Sequence, residues 1–256
     1  MDKLLNSRHA EEARLFAIIM TFCGGFLDAF TYIQCGHTLA AAQTGNIIFL
    51  SAAIVNHNLI GIIDRCGAIV LYVLGIVTAI TIQNHAKYWR IICLLPILAI
   101  GVFVGAMPES FPTYLSVGMV SFGLALVNTA FSKVEGLGYS SVFTTGNIKK
   151  FVVAWTEYFY QRKQEDFLVG FNYLIIVLAF TVGAISSALI QPALRMKTIW
   201  VAVIIILVTG ILYYCQKVQE TKRGWEKLLV QNKNRMMNFL NNSSSGFYVH
   251  RKSFLI

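Results

Sequence analysis

Six stretches of this chain are nearly free of charge and long enough to matter. Leu15 to Ile33 holds one charged residue, Asp28. Gly67 to Ile82, Ile91 to Met107, Tyr114 to Phe131 and Thr198 to Cys215 hold none. Phe167 to Ile190 is also uncharged, broken only by the polar Asn172, Thr181, Ser186 and Ser187. About 20 such residues cross the hydrocarbon of a bilayer as an α-helix. A membrane β-barrel would instead alternate apolar and polar residues in runs of about ten. These runs do not alternate, and a backbone in lipid must satisfy its own hydrogen bonds, so the pattern predicts helices.

The pattern also repeats. Thr44-Gly45-Asn46 recurs as Thr145-Gly146-Asn147, and each opens a further apolar stretch: Ile47 to Val55, and Ile148 to Tyr160 with Lys149 and Lys150 inside it. Upstream, Gly24 to Ala29 aligns with Leu124 to Thr129, which sets Asp28 against Asn128. Downstream, Leu74 to Ala79 resembles Val182 to Ser187. Each half therefore reads as long run, tripeptide segment, long run, long run. A repeat of this size is a duplicated membrane unit. Two topologies compete. With all eight segments spanning, the halves are parallel copies. With the two tripeptide segments broken or re-entrant, six helices span and the halves are inverted. The six-span arrangement puts Lys87, Arg90, Lys133, Lys149, Lys150, Arg162 and Lys163 on or near the cytoplasmic side. Cytoplasmic flanks are enriched in Lys and Arg, so the charges favour six spans and an inverted repeat. The expected organisation is a cytoplasmic segment 1–13, membrane repeats 14–107 and 113–215, and a basic cytoplasmic tail 216–256. The tail reads as a short surface helix near Thr221 to Leu240 followed by irregular chain.

Composition sharpens the class. The chain is 56% hydrophobic and 13% charged, with a mean hydropathy of +0.63, against about 25% charged residues in soluble domains. The formal charge of +9 is gathered largely at the two ends, including Lys3, Arg8, Arg14 and the residues from Lys217 to Lys252. That placement fits topology and anionic lipid headgroups, and no nucleic acid is expected as partner. Cys23, Cys35, Cys66, Cys93 and Cys215 lie in or beside apolar runs without Cys-x-x-Cys spacing, so they read as apolar fillers and not as a disulfide frame or metal site. Glu11 and Glu12 before the first run, and Asp28 within it, argue against a removable signal peptide.

The candidate chemistry follows from the repeat. Thr-Gly-Asn ahead of an apolar run predicts a helix start, with Thr and Asn accepting from free first-turn amides and Gly allowing a tight backbone. Two such starts inside the bilayer would converge on one cavity and present partly positive helix ends to a polar or anionic solute. The plainer reading is close helix packing with interhelical hydrogen bonds. Asp28 is expected to face a cavity or a partner, the choices being the Thr44 to Asn46 start and Asn128; it would either carry a proton or cap a broken helix. The expected solute-binding set is Asp28, Gln43, Thr44, Gly45, Asn46, Asn128, Thr144, Thr145, Gly146 and Asn147. Glu135, beside Lys133, reads as a solvated loop residue. No sequence signature of a metalloprotease, α/β-hydrolase, P-loop or dinucleotide site is present, so no catalytic residue, cofactor or metal is expected.

Gly25-Phe26-Leu27-Asp28-Ala29 with Gln43-Thr44-Gly45-Asn46, then Asn128 with Thr144-Thr145-Gly146-Asn147, resembles the YoaK-like family. The similarity covers about residues 13 to 215. It implies a bacterial plasma-membrane protein with about six spans, and it supplies no substrate or activity. Lys149 and Lys150 after the second tripeptide depart from the family pattern. The resulting expectation is an all-α membrane protein with both termini cytoplasmic. It would be a secondary transporter of a small polar or anionic solute, with proton coupling through Asp28. The alternatives are a passive pore and a non-transporting scaffold or sensor. Lipids are the expected surroundings, and self-association is left open.

Overall fold

The computed structural model describes residues 2–131, 133–134, 137–138 and 144–252. Among them are eight α-helices: α1 (Asp2–Gln34), α2 (Gln43–Val55), α3 (Leu59–His85), α4 (Trp89–Ala106), α5 (Thr113–Ala130), α6 (Thr144–Gln161), α7 (Gln164–Leu194) and α8 (Ile199–Lys252). Between α5 and α6, the two-residue strands β1 (Lys133–Val134) and β2 (Leu137–Gly138) pair antiparallel. Glu135 lies outside the described residues. Residues 1–210 form one compact unit and 211–256 a second. In the second, the helix runs on to Lys252, where the sequence pattern predicts a helix ending near Leu240. The polar Asn and Ser run there does not break it.

Helix ends follow local chemistry. After α1 the chain turns through Gly36 and His37, with φ of 67° and 53°. His57 (φ 53°) separates α2 from α3, and the Asn58 side chain caps α3 by accepting from the Gly61 amide at 3.0 Å. Arg162 (φ 56°) separates α6 from α7. Pro112 precedes α5, and a proline suits a helix entry because it has no amide to leave unpaired.

Five stretches are long and apolar enough to cross a bilayer: Arg14–Gln34, Leu59–His85, Trp89–Ala106, Thr113–Ala130 and Gln164–Gln219. The last covers 56 residues and contains the 3-10 turn Arg195–Thr198. The spans in α1 and α5 are each 61% buried, against 22% in α3 and 33% in α4. α1 and α5 are therefore the inner helices, with Phe26, Phe30, Leu126 and Val117 shut away from the surface. The outer helices expose rows of apolar side chains such as Val70, Val73, Val77 and Ile80 on α3, and Leu178, Val182, Ile185 and Leu189 on α7. Rows of that length could not face water, but they suit lipid tails.

α1 lies along α7, and α3 lies along α5. α2 packs on α3, and α6 packs on α7. Glycine makes the long crossings close. A Cβ on Gly25 would run into the Phe180 carbonyl, and one on Gly183 into the Phe22 carbonyl. On the other pair, a Cβ on Gly75 would sit 2.6 Å from the Phe122 carbonyl oxygen and 2.7 Å from the Ala125 Cβ. Lipid offers no hydrophobic drive for helices to associate, so backbone contact through small residues supplies much of the packing energy.

Gly183→Leu should therefore lower stability by about 1–3 kcal/mol, the usual cost of overpacking. Gly146→Ala, at a position with nothing within 4 Å of the added carbon, should be neutral or slightly stabilising. Thermal unfolding of both variants in lipid nanodiscs checks the contrast.

Candidate solute site

The site begins with a piece of irregular backbone. Residues 35–42 link α1 to α2; Gly36 and His37 are exposed, but Cys35, Thr38, Ala40 and Ala41 are all fully covered. Buried amides and carbonyls outside a helix must find partners. Four side chains supply them. Asp28 on α1 accepts from the Ala41 amide at 2.8 Å. One turn on, the Thr31 hydroxyl accepts from the Ala40 amide at 3.1 Å. Asn46 closes a ring with Leu39: its Oδ1 accepts from the Leu39 amide at 2.9 Å, and its Nδ2 donates to the Leu39 carbonyl at 2.6 Å. Gln43 accepts from the same Nδ2 at 2.9 Å and donates to the Ala40 carbonyl at 2.9 Å.

This differs from the expected capping role. α2 starts at Gln43, and Ala42 at its cap makes no side-chain cap bond. The first Thr-Gly-Asn thus lies inside the first turn, and Asn46 reaches backward to Leu39 instead of forward to first-turn amides. Asp28 meets the backbone just before that start, while Asn128, its sequence counterpart, donates to the Tyr72 hydroxyl at 3.2 Å.

A cavity of about 740 Å³ opens beside this segment. Asp28, Ala29, Tyr32 and Ile33 of α1 form one wall, with Gly25 above them. Leu39, Ala42, Thr44, Gly45 and Phe49 come from the link and α2. Thr144 and Thr145 come from the start of α6, and Phe180 and Ala184 from α7. Five of the expected site residues, Asp28, Thr44, Gly45, Thr144 and Thr145, line this one space. Asn46 and Asn147 are buried at 0% and 2% exposure and stand behind the lining. Gln43 is spent on the link, Asn128 is bonded to Tyr72, and Gly146 is exposed outside the cavity. The Thr144 Oγ1 is buried and has no hydrogen-bond partner among the described residues. Lys149 and Lys150 are exposed, with the Lys150 ammonium 5.2 Å from the centre of the Tyr173 ring.

Sequence reasoning passed over the aromatic lining, because Tyr32, Phe49 and Phe180 look like any other residues of apolar runs. It also passed over Asp64, which is 1% exposed and accepts from the Thr113 hydroxyl at 2.8 Å, fixing α3 to the start of α5. Gln191 was likewise unremarked; it donates to the Ala29 carbonyl at 3.3 Å and to the Ser187 hydroxyl at 3.1 Å, tying α7 to α1.

Asn46→Ala would strand the Leu39 amide and carbonyl. Each stranded buried group costs about 1–3 kcal/mol. The expected outcome is a destabilised protein whose 39–42 amides exchange hydrogen faster than in the parent, read by hydrogen-exchange mass spectrometry.

Long apolar helices with lipid-suited outer faces, and a polar link buried among them, describe a protein of the membrane interior. The relatives agree. The UPF0700 transmembrane protein YoaK of Bacillus subtilis (strain 168) is 24% identical over 198 residues, which is 73% of this chain and 88% of that protein. No solved structure matches the chain. A family described as a protein of unknown function (DUF1275) matches residues 16–212. That match takes in both tripeptides, Asp28 and every residue of the cavity, so this membrane protein belongs to the DUF1275 family.

Proposed function

We propose that the protein is a secondary transporter of a small polar solute, with its binding site in the cavity between the two Thr-Gly-Asn helix starts. The observation that carries this reading is that a single cavity touches Asp28 and both starts, through Thr44 and Gly45 on one side and Thr144 and Thr145 on the other. Transporter sites commonly lie where two repeats meet and where helices are interrupted.

Several features support a duplicated unit. Gly75 and Gly183, aligned in the repeat, receive the backbones of Phe122 and Phe22, which are offset by the same 100 residues as Asp28 and Asn128. His57 and Arg162, both with positive φ, follow the ends of α2 and α6. α2 has 13 residues, or about 20 Å of helix, too short for a hydrocarbon core of about 30 Å. α6 carries Lys149 and Lys150 in its opening turns. The stretch Gln164–Gln219, at 56 residues, would measure about 84 Å as one helix, so we read it as two spans divided at the 3-10 turn. Each half then contributes three spans, and an odd number inverts the second copy. In this reading the protein sits in the bacterial plasma membrane with both termini in the cytoplasm. Asp28 carries the coupled proton whenever no cationic group faces it, because an ionised carboxylate without a counter-charge is costly in a membrane interior.

A second reading, a non-transporting scaffold, is favoured by one observation. Asn46 is wholly occupied by its bonds to Leu39 and Gln43.

Two measurements test these proposals. In a variant lacking the exposed Cys66 and Cys215, Lys87→Cys should react only with reagents reaching the cytoplasmic side, and Lys197→Cys only with reagents outside; the reverse pattern favours eight spans. In reconstituted vesicles, a solute screen under an imposed proton gradient should find gradient-driven uptake that falls to the leak rate in Asp28→Asn. Uptake that stays proton-driven in that variant removes Asp28 from the coupling role, and a full screen without flux favours the scaffold.

A further inference from the structure

The cavity has an uneven chemistry. Its polar lining is Asp28, Tyr32, Thr44, Thr144 and Thr145, and the rest is apolar. Among the described residues, no Lys, Arg or His lines it. Asp28 is 4% exposed, and the buried Thr144 hydroxyl lacks a partner among the described residues.

This lining weighs against an anion. The amides of the link that leads into α2 are already engaged by the protein itself, Ala41 donating to the Asp28 carboxyl at 2.8 Å and Ala40 to the Thr31 hydroxyl at 3.1 Å. The protein's own carboxylate thus takes the place an anionic solute would need. A second negative charge would meet Asp28 with no cation to offset it, and buried charges without partners are costly. A cation with N–H donors finds the opposite situation: a carboxylate and threonine hydroxyls able to accept. Size adds a further limit. A space of about 740 Å³ is that of pockets for drug-sized organic molecules, which run from about 300 to 1,000 Å³. A bare inorganic ion would leave it unfilled. Phe49, Phe180 and Leu39 offer an apolar body its cover.

Taking from the transporter reading only the location of the site, we propose that the cavity binds organic amines, with an ammonium group against Asp28 and an aromatic or aliphatic body against Phe49 and Phe180. Charge-assisted hydrogen bonds of this kind contribute about 1.5–3 kcal/mol, which is roughly a tenfold or greater preference.

The test uses the full chain in nanodiscs and three probes with one body and different heads: phenylpropylamine, phenylpropanol and phenylpropionate. Binding is followed by calorimetry. Phenylpropylamine should bind at least about tenfold tighter than phenylpropionate, and Asp28→Asn should erase that preference. Ala184→Phe, which fills the cavity, should abolish saturable binding of the amine while the protein still melts cooperatively. The proposal is overturned if the carboxylate binds as well as the amine, if the preference survives in Asp28→Asn, if Ala184→Phe binds the amine undiminished, or if none of the probes binds. Where Asp28→Asn does not fold, the head-group ranking of the parent and the Ala184→Phe result decide. A bound amine that shows no flux in vesicles ends the transporter reading and leaves this assignment standing. Flux of other solutes without amine binding does the reverse.

Discussion

An unwound stretch of backbone in an apolar interior cannot leave its amides and carbonyls bare. Water is absent, and each orphaned group costs free energy comparable to a lost hydrogen bond. The link from Cys35 to Ala42 lives under that constraint, and much of the site is its consequence. Asp28 and Thr31 reach it from α1, while Gln43 and Asn46 reach it from the first turn of α2. Because partners come from both sides, the link is held rigidly between two helices. One face of α2's first turn is then free to border a cavity.

Helix crossings set the frame in which this happens. α1 meets α7 where Gly25 and Gly183 each lie against the other helix's backbone, and α3 meets α5 at Gly75. Contacts this close leave little latitude in angle or register. Gln191 reinforces the first crossing with a bond to the Ala29 carbonyl, one residue beyond Asp28 in the chain. Asp64 and Thr113 reinforce the second pair of helices near their starts.

Asp28 has two faces in this arrangement. One carboxylate oxygen is engaged by the Ala41 amide, which makes the residue part of the scaffold. The same side chain lines the cavity, which makes it available to a solute. The two roles are compatible because a carboxylate can accept about four hydrogen bonds. Asn128, which the sequence pattern sets against Asp28, cannot ionise, and it bonds to Tyr72 instead. Among the described residues, Asp28 is the one acid that lines the cavity.

What the sequence determined alone was what depends on each residue's own transfer energy. Uncharged runs mark helices that prefer lipid, and an acid inside such a run marks a place that must be compensated. The paired tripeptides were legible too, since Thr-Gly-Asn recurs in the chain letter for letter. Tertiary structure decided the partners. Asn46 reads in sequence as a helix cap, and only the folding back of residues 39–42 gives it Leu39. Tyr32, Phe49 and Phe180 are ordinary members of apolar runs until the α1–α7 crossing turns them toward one space. Asp64 gains its partner only when Thr113, 49 residues away, is brought against it. Periodicity and hydropathy are local sums, whereas a contact between distant residues depends on how closely two helices cross. That distance is set by which glycines meet which backbones, and no run of sequence read alone records it.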